Sequence, residues 1–164
     1  MVAGSITEQV AVAIPAEKMW KAAFATSDES ALCKVLGGLI DAAKVEGDGG
    51  PGSRITMKFN PAVGSNMVLK GRLASRDNAT RVITWDQVAV EGGEVAPAQF
   101  KSQAVQMKVE PAGAGRCVTK VAVDYERLDG TPLSPADQAK LIKGYVGMVK
   151  KAEENIVARP GVFA

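Results

Sequence analysis

The stretch from Val45 to Phe59, VEGDGGPGSRITMKF, decides between two very different folds. Its glycines Gly47, Gly49 and Gly52 have the G-x-G-x-x-G spacing of a dinucleotide-binding turn. In such a turn the glycines follow a strand and open a helix, whose N-terminus holds the pyrophosphate. Here the residues after Gly52, SRITMKF, alternate between apolar and polar side chains, which is typical of a strand. The stretch therefore predicts a glycine-rich turn that joins two antiparallel strands.

The sequence on both sides of this turn continues the strand pattern. From Leu39 to about Tyr125, short segments with period-2 alternation follow one another, separated by turn sequences such as RDNAT and AGAGR. This arrangement predicts six strands in an antiparallel meander. A further strand is predicted near the start of the chain, over residues 5–13, because SITEQVAVA alternates in the same way.

Two short helical segments lie between the first strand and the meander. PAEKMWKAAFAT places Pro15 at a helix start, and SDESALCKVLGG predicts a second helix that stops at Gly37-Gly38. We expect Ser27 to be the N-cap of this second helix, because a serine side chain can accept a hydrogen bond from a first-turn N–H. The interruption at Ser27-Asp28 predicts two helices that meet in a V.

The last segment predicts one long amphipathic helix that runs to about Ala158. Ser134 is its expected N-cap and Pro135 its first residue. Gly144 and Gly147 lie inside this helix, where each costs about 1 kcal/mol relative to alanine. Either the helix packs closely on a strand at these glycines, or the missing side chains leave room for a ligand. The apolar stripe of the helix consists of Leu141, Ile142, Tyr145, Met148, Val149, Ala152 and Ile156.

These elements predict a single α+β domain over residues 1–164. Its order is one strand, two short helices, six strands and one long helix. An antiparallel sheet with one dry face, against which the long helix lies, satisfies both hydrophobic patterns.

The composition excludes several classes of function. The chain has no histidine, so Ser-His-Asp and Cys-His mechanisms are excluded. Two separated cysteines, Cys33 and Cys117, cannot form a zinc site by themselves, and we predict neither a metal nor a cofactor. The formal net charge is +2 and the basic residues form no block, which argues against a specific nucleic-acid partner. No apolar run approaches the roughly 20 residues of a membrane span and no secretory signal is evident, so we expect a cytoplasmic protein without a membrane partner.

The segment KVEGDGGPGSRITMKF resembles the glycine-rich loop of the plant pathogenesis-related class 10 proteins, the family of the major birch pollen allergen. The resemblance covers nearly the whole chain. PAEKMWKAAF is similar to the first-helix segment, VEGG at 90–93 to the turn before the sixth strand, and LSPADQAKLIKGYVGMVKKAEENIVARPGVFA to the C-terminal helix and tail. It implies a START-like helix-grip fold, in which a seven-stranded antiparallel sheet wraps around the long helix and encloses a large apolar cavity. The glycines of the loop are Gly47, Gly49, Gly50 and Gly52.

Strand parity predicts which side chains face the helix, because alternate residues of a strand share a face. The inward faces are mostly apolar with isolated polar groups such as Gln103 and Thr119, which suits a small-molecule site. Small wall residues are equally compatible with a tightly packed core. We predict that the ligand-binding residues are Phe24, Ile40, Met57, Phe59, Trp85, Gln87, Val105, Met107, Val123, Leu141, Ile142, Gly144, Tyr145 and Met148.

The first hypothesis for function is a defence-related binding and carrier protein, acting as a monomer. The loop, the period-2 walls and the glycine-bearing helix favour it. Its partner would be a small hydrophobic plant metabolite or hormone of the flavonoid, cytokinin, sterol-like or alkaloid class.

Two enzymatic alternatives follow from the same resemblance. A ribonuclease activity credited to the family would use Glu46 and Glu153. However, the family's helix tyrosine is replaced by Asn155, and the acidic position in its sixth strand by Lys101. Alkaloid-forming relatives use a lysine in strand five, and that position falls near Trp85. A condensation or cyclisation reaction inside the cavity remains the other alternative. The candidate catalytic residues are Glu46, Glu153 and Tyr145.

Overall fold

The computed structural model describes residues 4–25, 28–60, 68–91, 100–127, 130–131 and 133–159, and for 87–91 and 100–101 it describes the backbone alone. In these residues the predicted order of elements is confirmed. The elements are β1 (Gly4–Val12), α1 (Ala16–Ala23), α2 (Glu29–Val35), β2 (Ile40–Glu46), β3 (Arg54–Phe59), β4 (Val68–Asp77), β5 (Val82–Glu91), β6 (Phe100–Pro111), β7 (Cys117–Arg127) and α3 (Pro135–Ala158).

The described strands form one seven-stranded sheet in the order β1-β7-β6-β5-β4-β3-β2. Every pair of neighbours is antiparallel, including β1 and β7, which are not consecutive in the chain. The first strand, β1, pairs with the last strand, β7, with Gly4 opposite Tyr125 and Val12 opposite Cys117. The edge strands are therefore β1 and β2, one on each side of the sheet.

Burial alternates along the strands and confirms the predicted inner face. In β3, Ile55, Met57 and Phe59 are buried, and the residues between them are exposed or half-buried. In β7, every second residue from Cys117 to Tyr125 is buried. These side chains join those of the helices in one apolar core. Among the described residues, the polar side chains of Gln103 and Thr119 share this buried face.

The long helix α3 has the predicted ends. The side chain of Ser134 accepts a hydrogen bond from the N–H of Asp137 at 3.2 Å, and Pro135 begins the helix. Among the described helices, α3 included, none is both long and apolar enough to cross a membrane. The buried residues of α3 follow the predicted stripe but include one polar residue: Ile142, Tyr145, Val149, Ala152, Asn155 and Ile156.

The N-cap of α2 is Asp28, and the expectation of Ser27 was wrong by one residue. The carboxylate of Asp28 accepts a hydrogen bond from the N–H of Ala31 at 2.7 Å, whereas Ser27 lies outside the described residues. Aspartate and serine cap helices about equally well, so two adjacent capping residues leave the start of a helix ambiguous. Beyond the other end of α2, Gly38 has a φ of +90°, which few residues other than glycine adopt.

Candidate functional site

An apolar cavity of about 70 Å³ lies between the inner face of the sheet, the two short helices and α3. Strands β3 to β6 form one wall, α1 and α2 form a second, and α3 forms the third. Among the described lining residues, only Trp85 and Tyr145 carry a nitrogen or oxygen atom in the side chain. The cavity is lined by Ala23, Phe24, Leu32, Val35, Leu36, Ile55, Met57, Leu69, Gly71, Trp85, Met107, Tyr145, Met148, Val149 and Ala152.

Three methionines and three aromatic residues are among the fifteen lining residues. Met57, Met107 and Met148 approach the cavity from β3, β6 and α3, and their unbranched side chains can change shape at little cost. The rings of Phe24 and Trp85 lie with their centroids 6.3 Å apart at an interplanar angle of 50°. A wall of this kind offers a planar apolar molecule both stacking surfaces and adjustable contacts.

The structure brings some of the predicted ligand-binding residues to the cavity and leaves others away from it. Phe24, Met57, Trp85, Met107, Tyr145 and Met148 line it. A second group belongs to the same buried core without lining the cavity, and it consists of Ile40, Phe59, Val105, Val123 and Ile142. Leu141 is half-buried and Gly144 is exposed. The side chain of Gln87 lies outside the described part of the chain.

The two glycines within α3 face open space among the described residues. A Cβ placed on Gly144 or Gly147 would meet no atom of the described residues within 4 Å, apart from the helix's own backbone and adjacent residues. The described strands therefore do not pack closely against either glycine. Neither residue is among the residues that line the cavity, and the prediction that Gly144 leaves room for a ligand stays a prediction.

Sequence reasoning missed the contribution of α2 to the cavity. Leu32, Val35 and Leu36 have the i, i+3, i+4 spacing of one helix face, and all three line the cavity. This spacing was visible in ALCKVL and could have identified the face. The other lining residues outside the prediction are Ala23, Ile55, Leu69, Gly71, Val149 and Ala152.

In the glycine-rich loop, side-chain oxygens accept hydrogen bonds from backbone N–H groups. Asp48 accepts hydrogen bonds from the N–H of Gly50 at 2.8 Å and from the hydroxyl of Ser53 at 3.3 Å, which holds the pKa of the Asp48 carboxyl below its ordinary value. The Ser53 hydroxyl in turn accepts the N–H of Gly49 at 2.9 Å. These two N–H groups are thus already bonded, and β3 rather than a helix follows. The turn interpretation is confirmed, with positive φ angles at Gly47, Gly49 and Gly52.

Arg76 connects this loop to the cavity wall. Its Nη1 donates to the carbonyl of Gly49 at 3.0 Å, and its Nε donates to the carbonyl of Phe24 at 2.9 Å. Phe24 lines the cavity, so one guanidinium joins the loop to the end of α1. Partial burial lowers the pKa of Arg76, which nevertheless remains a cation at neutral pH.

The three candidate catalytic residues occupy separate environments. Glu46 is exposed at the end of β2, where it forms an ion pair with Lys44 at 3.4 Å. Glu153 accepts a hydrogen bond from the N–H of Ala13 at 2.6 Å, and Tyr145 is buried in the cavity wall. None of the contacts described joins these three side chains, and among the described residues no three Asp, Glu, Cys or His side chains group as metal ligands.

Asn155, which the resemblance places at the family's tyrosine position, holds two backbone groups of another element. Its side-chain nitrogen donates to the carbonyls of Val35 and Gly37, at 2.9 and 3.0 Å, and the residue is 9% exposed. Both amide hydrogens are consumed by these bonds. The side chain of Lys101, the other replaced position, lies outside the described part of the chain.

Known proteins share this fold over nearly the whole chain. Residues 1–159 match the pathogenesis-related protein Bet v 1 family. The chain is 31% identical to pathogenesis-related protein 1 of Asparagus officinalis over 165 residues, which is 99% of each protein. Among solved structures, Ara h 8.0201 has a TM-score of 0.75 at 20% identity, over 94% of this chain and 98% of that one. Norcoclaurine synthase from Thalictrum flavum, in complex with dopamine and hydroxybenzaldehyde, has a TM-score of 0.67 at 22% identity, over 95% of this chain and 87% of that one.

Proposed function

Because the chain belongs to the pathogenesis-related protein Bet v 1 family, we propose that it binds and carries a small hydrophobic molecule in the cavity between α3 and the sheet. The observation that carries this proposal is the cavity itself, whose lining is apolar apart from the polar tips of Trp85 and Tyr145. An apolar chamber with few polar groups suits a ligand that is mostly hydrocarbon or aromatic. The flavonoid, cytokinin, sterol-like and alkaloid classes all meet this description.

The size of the cavity implies that it expands when a ligand enters. Its volume of about 70 Å³ is well below the roughly 300–1,000 Å³ of pockets that hold drug-sized molecules. Met57, Met107 and Met148 can rotate away without losing their apolar contacts. We therefore propose that a planar ligand slides between these side chains and the rings of Phe24 and Trp85.

A buried polar atom supports a ligand with one hydrogen-bonding end. The side-chain oxygen of Gln103 is buried on the inner face of the sheet and has no hydrogen-bond partner among the described residues. Gln103 does not line the cavity, but it shares the inward side of β6 with Met107, which does. A ligand long enough to reach Gln103 would satisfy this acceptor with a hydroxyl or N–H group.

Binding is tested with an apolar fluorescent dye such as 1-anilinonaphthalene-8-sulfonate. We expect one dye molecule to bind per chain and to be displaced by members of at least one of the four ligand classes. Ala23→Leu, which adds three carbons to the cavity wall, should weaken binding. Ala22→Leu is the matched control, because Ala22 is half-buried on the same helix and does not line the cavity. Equal effects of the two substitutions, or no displacement by any ligand class, would contradict the proposal.

We do not favour an enzymatic function, because the candidate acids do not converge on the cavity. Glu46 and Glu153 both lie outside its lining, and Tyr145 alone contributes to it. The cytoplasm remains the proposed compartment, and the exposed free thiol of Cys33 supports it. A monomer likewise remains a prediction, which light scattering would test.

A further inference from the structure

The helix α2 covers one side of the cavity and is itself held by few buried side chains. It supplies Leu32 and Val35 to the lining, and Leu36 follows at its end. Of its seven residues only Val35 is buried. A helix this short gains little stability from its own hydrogen bonds, so its contacts with the rest of the protein decide whether it stays in place.

The C-terminal end of α2 is fixed from within the protein. The carbonyls of Val35 and Gly37 lie where a helix end leaves carbonyl groups without helical partners. Asn155 of α3 donates one hydrogen bond to each of them. Because Asn155 is buried, water cannot readily replace these bonds, and their loss would leave buried polar groups unsatisfied.

The N-terminal end of α2 is fixed more weakly. The carboxylate of Glu29 accepts a hydrogen bond from the N–H of Val45 at 3.1 Å, and this contact is exposed to solvent. Val45 lies in β2, which among the described strands pairs only with β3. Water can compete for an exposed carboxylate and an edge N–H, so this bond opens more easily than those of Asn155.

We propose that α2 is a lid, anchored at its C-terminal end by Asn155 and latched at its N-terminal end by Glu29. Release of the Glu29–Val45 bond lets the first turn of α2 move away and exposes the cavity beside Leu32. That a small hydrophobic molecule enters by this route rests on the proposed function. The motion itself is a property of the protein without ligand.

The first experiment follows hydrogen exchange of the α2 amides in the ligand-free protein. Loss of one hydrogen bond to a charged group predicts that Glu29→Ala speeds exchange in α2 by roughly threefold to tenfold, through a local opening that costs less free energy than global unfolding. Glu17→Ala is the matched control, because Glu17 also lies in the first turn of a short helix but pairs with the side chain of Arg81. It should leave α2 exchange unchanged. If Glu29→Ala leaves α2 exchange unchanged, or if α2 exchanges only by global unfolding, the lid is refuted.

The second experiment measures dye kinetics by stopped flow. A lid that only controls access predicts that Glu29→Ala speeds association and dissociation of 1-anilinonaphthalene-8-sulfonate by the same factor and leaves Kd unchanged. Asn155→Leu, which removes the anchor, should instead change Kd, because Val35 and Leu36 then leave their positions in the wall. A changed Kd with unchanged association in Glu29→Ala would overturn the proposal even if Asn155→Leu fails to fold. Absence of dye binding would contradict the proposed function and leave the exchange test of the lid intact.

Discussion

The carboxylate of Glu153 accepts a hydrogen bond from the backbone N–H of Ala13 at 2.6 Å, across 140 positions of the chain. Ala13 directly follows the last residue of β1, which is an edge strand. The long helix therefore holds the end of this strand through one side chain. The sequence pattern placed Glu153 on the polar side of α3, and the contact with Ala13 gives it a structural role.

Replacement of Glu153 should lower the stability of the protein. Glu153→Ala removes the acceptor, and we expect the free energy of unfolding to fall by about 1 kcal/mol, since the bond involves a charged group but is open to solvent. Urea denaturation measures this change. Glu154→Ala is the control, because Glu154 is exposed and bonds only to Lys151 in the described structure; it should change stability by less than about 0.5 kcal/mol. Equal losses in the two variants would contradict the role of the Ala13 contact.

Glu153→Gln separates this structural role from acid–base catalysis. The glutamine keeps an oxygen that can accept the Ala13 N–H but cannot transfer a proton as a carboxyl group does. We expect any RNA degradation by the purified protein to be unchanged in this variant. Loss of activity in Glu153→Gln with unchanged stability would instead favour the ribonuclease alternative.

Thr119→Val should stabilise the protein. The Thr119 hydroxyl is fully buried on β7 and has no hydrogen-bond partner among the described residues. Valine has nearly the same shape and removes the cost of an unsatisfied buried group, so we expect the free energy of unfolding to rise by about 1–2 kcal/mol. Thr7→Val, at an exposed position of β1, is the control and should have an effect close to zero. A decrease in stability for Thr119→Val would indicate that the hydroxyl is hydrogen-bonded in solution.

The two cysteines should differ sharply in reactivity. Cys33 is exposed on α2, whereas Cys117 is buried, and burial together with the nearby Glu153 carboxylate raises the pKa of the Cys117 thiol. Because the thiolate is the reactive form, Cys117 should be nearly inert in the native protein. We expect Ellman's reagent to titrate one thiol rapidly in the native state and two after denaturation. The rapid reaction should disappear in Cys33→Ser, and its persistence would show that Cys117 is accessible.

The glycine-rich loop should loosen in acid. Hydrogen bonds from Gly50 and Ser53 lower the pKa of Asp48 below its ordinary value of 3.8. Because the pKa is lowered in the folded state, the ionised Asp48 carboxylate stabilises the folded loop at pH values above its ordinary pKa. This contribution is lost as the pH falls through the lower pKa of the folded state. The amide proton signal of Gly50 should therefore shift in that acid range in NMR spectra. Asp48→Asn should abolish the shift, and an unchanged titration in that variant would assign it to another group.

The elements of the fold could be predicted because each depends on neighbouring residues. The alternation in SRITMKF predicted β3 and its inward face, and the Ser134-Pro135 pair predicted the start of α3. The turn conformation of the glycine-rich loop followed from the strand after Gly52. The N-cap of α2 was wrong by one residue because two adjacent residues can cap a helix equally well.

The cavity lining was harder to predict than the inner face that contains it. Parity identifies the side of a strand that is buried, so Met57 and Phe59 were both predicted to contact a ligand. Only Met57 lines the cavity, because a cavity forms where side chains from different elements fail to fill the space between them. The contribution of α2 to the cavity lining was missed because it depends on where that helix packs against the rest of the protein.

By itself, the sequence determined the α+β class, the antiparallel strands and the start of α3. These follow from hydrophobic periodicity, capping residues and glycine backbone freedom, which act over a few residues. Only the tertiary structure decided that Asn155 bonds to the end of α2 and that Glu153 bonds to Ala13. Both contacts join elements more than 100 positions apart. No local pattern encodes such a contact, because it depends on how the whole sheet places its edges against α3.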